Sequence, residues 1–135
     1  MKLKEYKFKS IIEEKNQGTL RVYESSAIPF AVQRVFTVVN AKKNSKRGMH
    51  AHKKCNQLLC CTSGKIKLIC DNGLQRVEKI LTPDNNGILV KSGIWAEQIY
   101  LMDNSVLIVF CDQPYDEKDY IRDYNEFLNL KKNNE

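Results

Sequence analysis

The sequence predicts an all-β fold, a sandwich or jelly roll, finished by one short C-terminal helix. Three features lead there: apolar residues alternate with polar ones at period two, turn signals recur about every ten residues, and a helical stripe appears only near the C-terminus. Leu20–Tyr23 reads as a strand entered through the turn signal Asn16-Gln17-Gly18. Ala31–Val39 is a longer strand entered through Pro29, and residues 40–48 read as a polar loop. Gln57–Thr62 is an apolar strand ended by Ser63-Gly64. In Lys65–Cys70, Ile66, Leu68 and Cys70 face one way and the lysines the other. Asp71-Asn72-Gly73 is a hairpin signal, since Asn-Gly supplies two positive φ angles readily, and Leu74–Leu81 is its partner strand. Ile88–Val90, residues 94–101 and Val106–Cys111 complete the strands. Asp116–Leu130 carries Tyr120, Ile121, Tyr124, Phe127 and Leu128 at helical spacing.

The chain has 135 residues, which suggests a single domain over 1–135. Its longest apolar run, Val106–Cys111, is far short of the ~20 residues that span a bilayer. The N-terminus alternates lysine with apolar residues and lacks a signal-peptide core. A cytoplasmic protein with no membrane contact is expected. The five cysteines are odd in number and form no CxxC pair, as expected of reduced, small core-formers. Adjacent Cys60 and Cys61 should point to opposite faces of their strand. The net charge of +6 comes from scattered lysine runs with few interleaved aromatics, so nucleic acid is not an expected partner, whereas an anionic small molecule is.

Both histidines of the chain, His50 and His52, stand two residues apart, so on a strand they share a face. With Arg47 beside them, they are candidates for a cavity rather than for open surface. The wider pattern, Gly48-x-His50-x-His52-x4-Gln57-x6-Gly64, resembles the first motif of the cupins, a jelly-roll superfamily, and Gly87-x5-Gly93-x2-Ala96 lies where their second motif falls. Metal-binding cupins place glutamate at the Gln57 position and a third histidine at the Ala96 position. Two imidazoles and a neutral amide make a poor divalent site, so neither metal nor other cofactor is expected. Two histidines without metal suit acid–base chemistry, because imidazole titrates near operating pH. Arg47, Lys53 and Lys54 are expected to favour the neutral rings.

Longer strings narrow the resemblance. Pro29-Phe30-Ala31-Val32-Gln33-Arg34-Val35-Phe36, Arg47-Gly48-Met49-His50-Ala51-His52-Lys53-Lys54, Gln57-Leu58-Leu59, Asp71-Asn72-Gly73 and Tyr115-Asp116-Glu117-x-Asp119-Tyr120-Ile121-Arg122-x-Tyr124 together resemble the sugar 3,4-ketoisomerases, relatives of the dTDP-sugar 3,5-epimerases. The resemblance implies a cupin jelly roll that forms a homodimer with exchanged N-terminal strands. It implies metal-independent movement of the keto group of dTDP-4-keto-6-deoxyglucose from C4 to C3, on the way to dTDP-linked 3-amino-3,6-dideoxy sugars. By the family's pattern His50 takes the C3 proton and His52 assists or delivers a proton at C4, with the two roles interchangeable at this stage. Gln57 is a candidate donor to a sugar oxygen, and Arg47 and Lys53 are candidates for the pyrophosphate. Arg34, set among apolar residues, needs an anionic partner, and Arg122 matches the C-terminal string. Phe36, Trp95 and Tyr100 are candidates to stack on thymine. Three positions depart from the family: Ala96 replaces a histidine after Trp95, Gln17 replaces an arginine, and Phe36-Thr37 lacks a tyrosine, leaving the shorter Thr37 hydroxyl. Two other readings stay open, a metal-dependent cupin enzyme and a non-catalytic nucleotide-sugar-binding cupin.

Overall fold

The computed structural model describes residues 1–12 and 18–134, so the expected turn at Asn16-Gln17 and the Gln17 departure lie outside the described residues. The strands are β1 (Glu5–Tyr6), β2 (Lys9–Ile12), β3 (Thr19–Val22), β4 (Arg34–Ala41), β5 (Lys46–His52), β6 (Gln57–Ser63), β7 (Ile66–Asp71), β8 (Arg76–Leu81), β9 (Gly87–Val90), β10 (Trp95–Tyr100), β11 (Ser105–Cys111) and β12 (Tyr120–Ile121), followed by helix α1 (Tyr124–Asn133). One sheet runs β1-β9-β6-β11-β4 and the other β12-β5-β10-β7-β8, while β2 and β3 form a hairpin of their own.

Alternation along the strands fills the space between the sheets. Ile66, Leu68 and Cys70 are fully buried there with Leu59, Leu107 and Val109. Cys61 joins this core, whereas Cys60 turns to the outer face of the first sheet, where Leu58 and Phe110 pack under Phe8, Tyr23 and Phe30. All five cysteines are buried and free. On the outer face of the second sheet, Ala51, Trp95 and Ile121 bury Phe127 of α1.

Three local expectations need correction. The polar loop 40–48 is shorter than expected, because β5 already begins at Lys46 and pairs with β10. The Asp71-Asn72-Gly73 turn has positive φ at Gly73 (+93°) but not at Asn72. Side chains shape it instead: Asp71 accepts from Gly73 N–H, and Asn72 accepts from Leu74 and Gln75 N–H. The helix starts at Tyr124, not Asp116. Asp116 caps a short 3-10 turn and Tyr120-Ile121 pair with His52-Ala51, so tertiary pairing overrides the helical spacing. Asp123 then caps α1, accepting from the N–H groups of Asn125 and Glu126.

Candidate active site

The site is set by an irregularity in β5. On β10, Ala96 lies opposite His50 and Glu97 opposite Gly48, which leaves Met49 as the extra residue of a β-bulge. Gly48 and Met49 both have positive φ (+82° and +56°). A side chain at Gly48 would put its Cβ 2.9 Å from the Ala96 carbonyl oxygen, so glycine is required. Beyond the bulge His50 and His52 share a face, with rings 4.9 Å apart and nearly perpendicular. Tyr120, opposite His52 on β12, closes the group, its ring 4.4 Å from His52 and 5.0 Å from His50.

Burial decides the protonation of both imidazoles. His50 is pushed down to about 4, first by loss of water and then by the neighbouring His52 ring, with Arg122 adding to it. The ring is therefore neutral at pH 7. The expected direction holds, but burial, not the lysines that follow the pair, is the main cause. His50 Nδ1 is buried without a partner among the described residues, which leaves Nε2 as the ring nitrogen available to the cavity. His52 is also lowered, again by burial first, although Asp119 opposes it. Its Nδ1 lies 2.8 Å from Asp119 Oδ2, while its buried Nε2 has no partner among the described residues. Burial disfavours the Asp119 carboxylate, yet His52 and the N–H groups of Lys54 and Cys55 outweigh that and hold its pKa below the usual range.

His50 opens on a cavity of about 450 Å³ whose wall also carries Arg34, Phe36, Arg47 and Gln57. Gln98, Tyr115, Tyr120 and Arg122 complete its polar lining. The Arg34 guanidinium lies 5.6 Å from the Phe36 and Tyr115 ring centres, and its Nε is buried without a partner. Burial works against its charge, but the Tyr120 hydroxyl and the Cys111 thiol outweigh it. Gln57 Nε2 donates to Cys111 Sγ at 3.5 Å. Arg122 stacks 4.3 Å over the Tyr120 ring and binds Glu117 through two nitrogens, at 2.9 and 3.1 Å. With Arg122 first and Tyr115 second, that contact holds Glu117 at about 2. Three guanidinium groups around a neutral imidazole suit an anionic ligand that brings a polar ring to His50.

A family model described as "FdtA: WxcM-like, C-terminal" matches residues 1–132. The chain belongs to this family. It is 34% identical to a TDP-4-oxo-6-deoxy-alpha-D-glucose-3,4-oxoisomerase of Aneurinibacillus thermoaerophilus, over 98% of this chain and 99% of that one. QdtA, a sugar 3,4-ketoisomerase of Thermoanaerobacterium thermosaccharolyticum solved in complex with TDP, superposes with a TM-score of 0.90 at 30% identity, covering 98% of this chain and 96% of QdtA. A 3,4-ketoisomerase of Helicobacter canadensis gives 0.89 at 30% identity over 98% of both chains. The jelly-roll expectation is thereby borne out.

For this FdtA-family chain, the structure gathers His50, Gln57, Arg34, Arg47, Arg122 and Phe36 on one cavity wall. His52 is not on that wall; it is buried behind His50 against Asp119. Three residues expected to meet the ligand, Trp95, Lys53 and Tyr100, lie off this wall. Trp95 is buried against Phe127 and donates to Glu97, on the face of β10 turned away from the cavity. Lys53 is exposed just past β5, with its backbone N–H on the Asp119 carbonyl. Tyr100 is fully buried core, and exposed Thr37 is absent from the wall. Sequence reasoning quoted Tyr115, Asp119 and Tyr120 in the C-terminal string without giving them a role, and missed Gln98. The one available signal for Gln98 was its two-residue offset from Ala96 on a strand.

A His52 ring nitrogen, Cys55 Sγ and an Asp119 oxygen lie within 4.8 Å of one another, donor types that zinc accepts. They do not suit an ion here. The imidazole and the Cys55 N–H already share one Asp119 oxygen, and Cys111, then burial, oppose ionisation of the Cys55 thiol.

Proposed function

We propose that this protein is a sugar 3,4-ketoisomerase that moves the keto group of dTDP-4-keto-6-deoxyglucose from C4 to C3. The observation that carries the reading is a neutral imidazole, His50, on the wall of a cavity ringed by Arg34, Arg47 and Arg122. The activity named for the relatives supports the substrate class. The C3 proton is alpha to the C4 ketone. His50 Nε2 removes it, and the bond pair becomes the C3=C4 double bond of an enediolate. Gln57 donates to a sugar oxygen as negative charge develops. Arg47 and Arg122 bind the pyrophosphate, Arg34 supports the anion from the other side, and Phe36 offers a face to thymine. His52, held by Asp119, assists from behind by fixing the His50 ring at right angles to its own. No metal or organic cofactor enters this scheme. The product belongs to the route to dTDP-linked 3-amino-3,6-dideoxy sugars. Five free, buried thiols support a cytoplasmic setting.

A homodimer with exchanged N-terminal strands completes the proposal. Among the described residues, the β2–β3 hairpin pairs only with itself and leaves Ile12 (81% exposed) and Leu20 (53%) open. β4 is an edge strand with Val35 (49%), Phe36 (36%) and Val39 (54%) open. Apolar edges of this kind seek a strand partner, and a hairpin from a second copy fits the need beside the Phe36 wall of the cavity. Sedimentation of a dimer supports it; a monomer at micromolar concentration refutes it.

The activity is tested by NMR of dTDP-4-keto-6-deoxyglucose incubated with the protein in deuterated water. A 3-keto product with deuterium at C4 is expected. Binding of the nucleotide sugar without product would favour a binding protein, and turnover that requires added iron, zinc or manganese would favour a metal enzyme.

A further inference from the structure

The ketone shift handles two carbon-bound protons: one leaves C3 and one arrives at C4. His50 accounts for the first. On the ketoisomerase reading above, we propose that the hydroxyl of Tyr120 delivers the second.

Among the described residues, the cavity wall carries two hydroxyl groups, those of Tyr115 and Tyr120. Tyr115 is 61% exposed and its hydroxyl already donates to Glu117 Oε2 at 2.5 Å. Tyr120 instead lies against both imidazoles, because its place opposite His52 on β12 turns it to the same face. His52 itself is poorly placed to protonate carbon, with Nδ1 committed to Asp119 and Nε2 buried off the wall. The Tyr120 side chain shares the cavity wall with Arg34, and its hydroxyl favours the guanidinium charge. Guanidinium N–H groups can only donate, so against Arg34 the phenol oxygen is the acceptor and its own proton is free to turn into the cavity. The phenolate left after donation sits between two positive groups, Arg34 at the oxygen and Arg122 over the ring.

The step balances. After His50 takes the C3 proton, the O3 proton passes to O4. The O3 pair closes to C3=O, and the C3=C4 pair takes the Tyr120 proton to form C4–H. The phenolate then recovers a proton from the His50 imidazolium, whose ring is 5.0 Å away, through solvent in the cavity. Both side chains end as they began.

The test is Tyr120→Phe, which keeps the ring against both histidines and Arg122. Two rates are read by NMR in deuterated water: formation of 3-keto product, and exchange of deuterium into C3 of the recovered 4-keto sugar. Product formation is expected to fall about 100-fold or more, while C3 exchange stays within about fivefold of the native rate. TDP binding by calorimetry confirms an intact site. Product formation within about fivefold of native overturns the assignment. So does an equal loss of exchange and turnover, which marks a structural role. Uncoupling in Tyr115→Phe instead would move the role to Tyr115. Native protein with neither exchange nor product would refute the ketoisomerase reading itself, a result distinct from failure of the Tyr120 role.

Discussion

Two polar clusters lie on opposite faces of the same β5–β10 sheet, and they treat their hydrogen bonds differently. Under α1, Asp71 accepts from the Tyr124 hydroxyl at 2.6 Å and from Gly73 N–H. Arg76 pairs with Glu97 and Asp71, and Trp95 donates to Glu97. The cluster is self-satisfied and clamps the helix to the sheet. On the inner face the balance reverses. Of the five buried side-chain N or O atoms without a partner among the described residues, three are Arg34 Nε, His50 Nδ1 and His52 Nε2. Each unsatisfied group of this kind costs about 1–3 kcal/mol. The proposed function makes use of that difference, since open donors beside the cavity suit an anionic ligand and proton transfer.

The contrast makes separable predictions. The largest effect belongs to His50→Asn, which keeps a polar side chain but removes the base. Turnover should fall about 10³- to 10⁴-fold with unchanged circular dichroism and a melting temperature within a few degrees. Full activity would end the assignment. Asp119→Asn weakens the charge-assisted bond to His52 and should slow kcat about 10- to 100-fold, the range of a hydrogen bond to a charged group. A change within twofold would show that His52 needs no anchoring. On the other face, Tyr124→Phe should lower stability by about 1 kcal/mol, read as a drop of a few degrees in Tm, while kcat stays within twofold. Loss of activity there would break the division between the faces. The smallest effect is expected from EDTA: dialysis should leave the rate unchanged, and restoration by a divalent ion after loss would contradict the metal-free scheme.

Much of this arrangement was legible in the chain. The alternation Ile66, Leu68, Cys70 and the opposed Cys60 and Cys61 marked the core correctly. The His50-x-His52 spacing marked the two imidazoles that the fold brings together beside the cavity. The misplacements have physical reasons. Trp95 adjoins Ala96, and the same alternation that aims Ala96 inward turns Trp95 outward to α1. Lys53 falls in the bend after β5 ends at His52, where strand alternation no longer sets its direction. Tyr120 and Ile121 share the helical period of the residues after them, so only their pairing with β5, far away in sequence, reveals a strand. Asp119 could not be read as a partner of His52 without that pairing.

Protonation is the most direct probe of the neutral base. Burial lowers His50 from 6.5 to about 4, so the unfolded ring binds more protons between those values. Folding stability should therefore fall as pH drops from about 6.5 through 4, and His50→Asn should soften that fall. The decisive measurement is the pH profile of kcat/KM, which reports the free enzyme. A rate that is level from pH 7.5 to 5.5 and halves near pH 4 is expected from His50 as placed. A tenfold loss already between pH 7 and 5.5 would mean that the base titrates like an exposed imidazole, and would contradict a buried, neutral His50 at the centre of the chemistry.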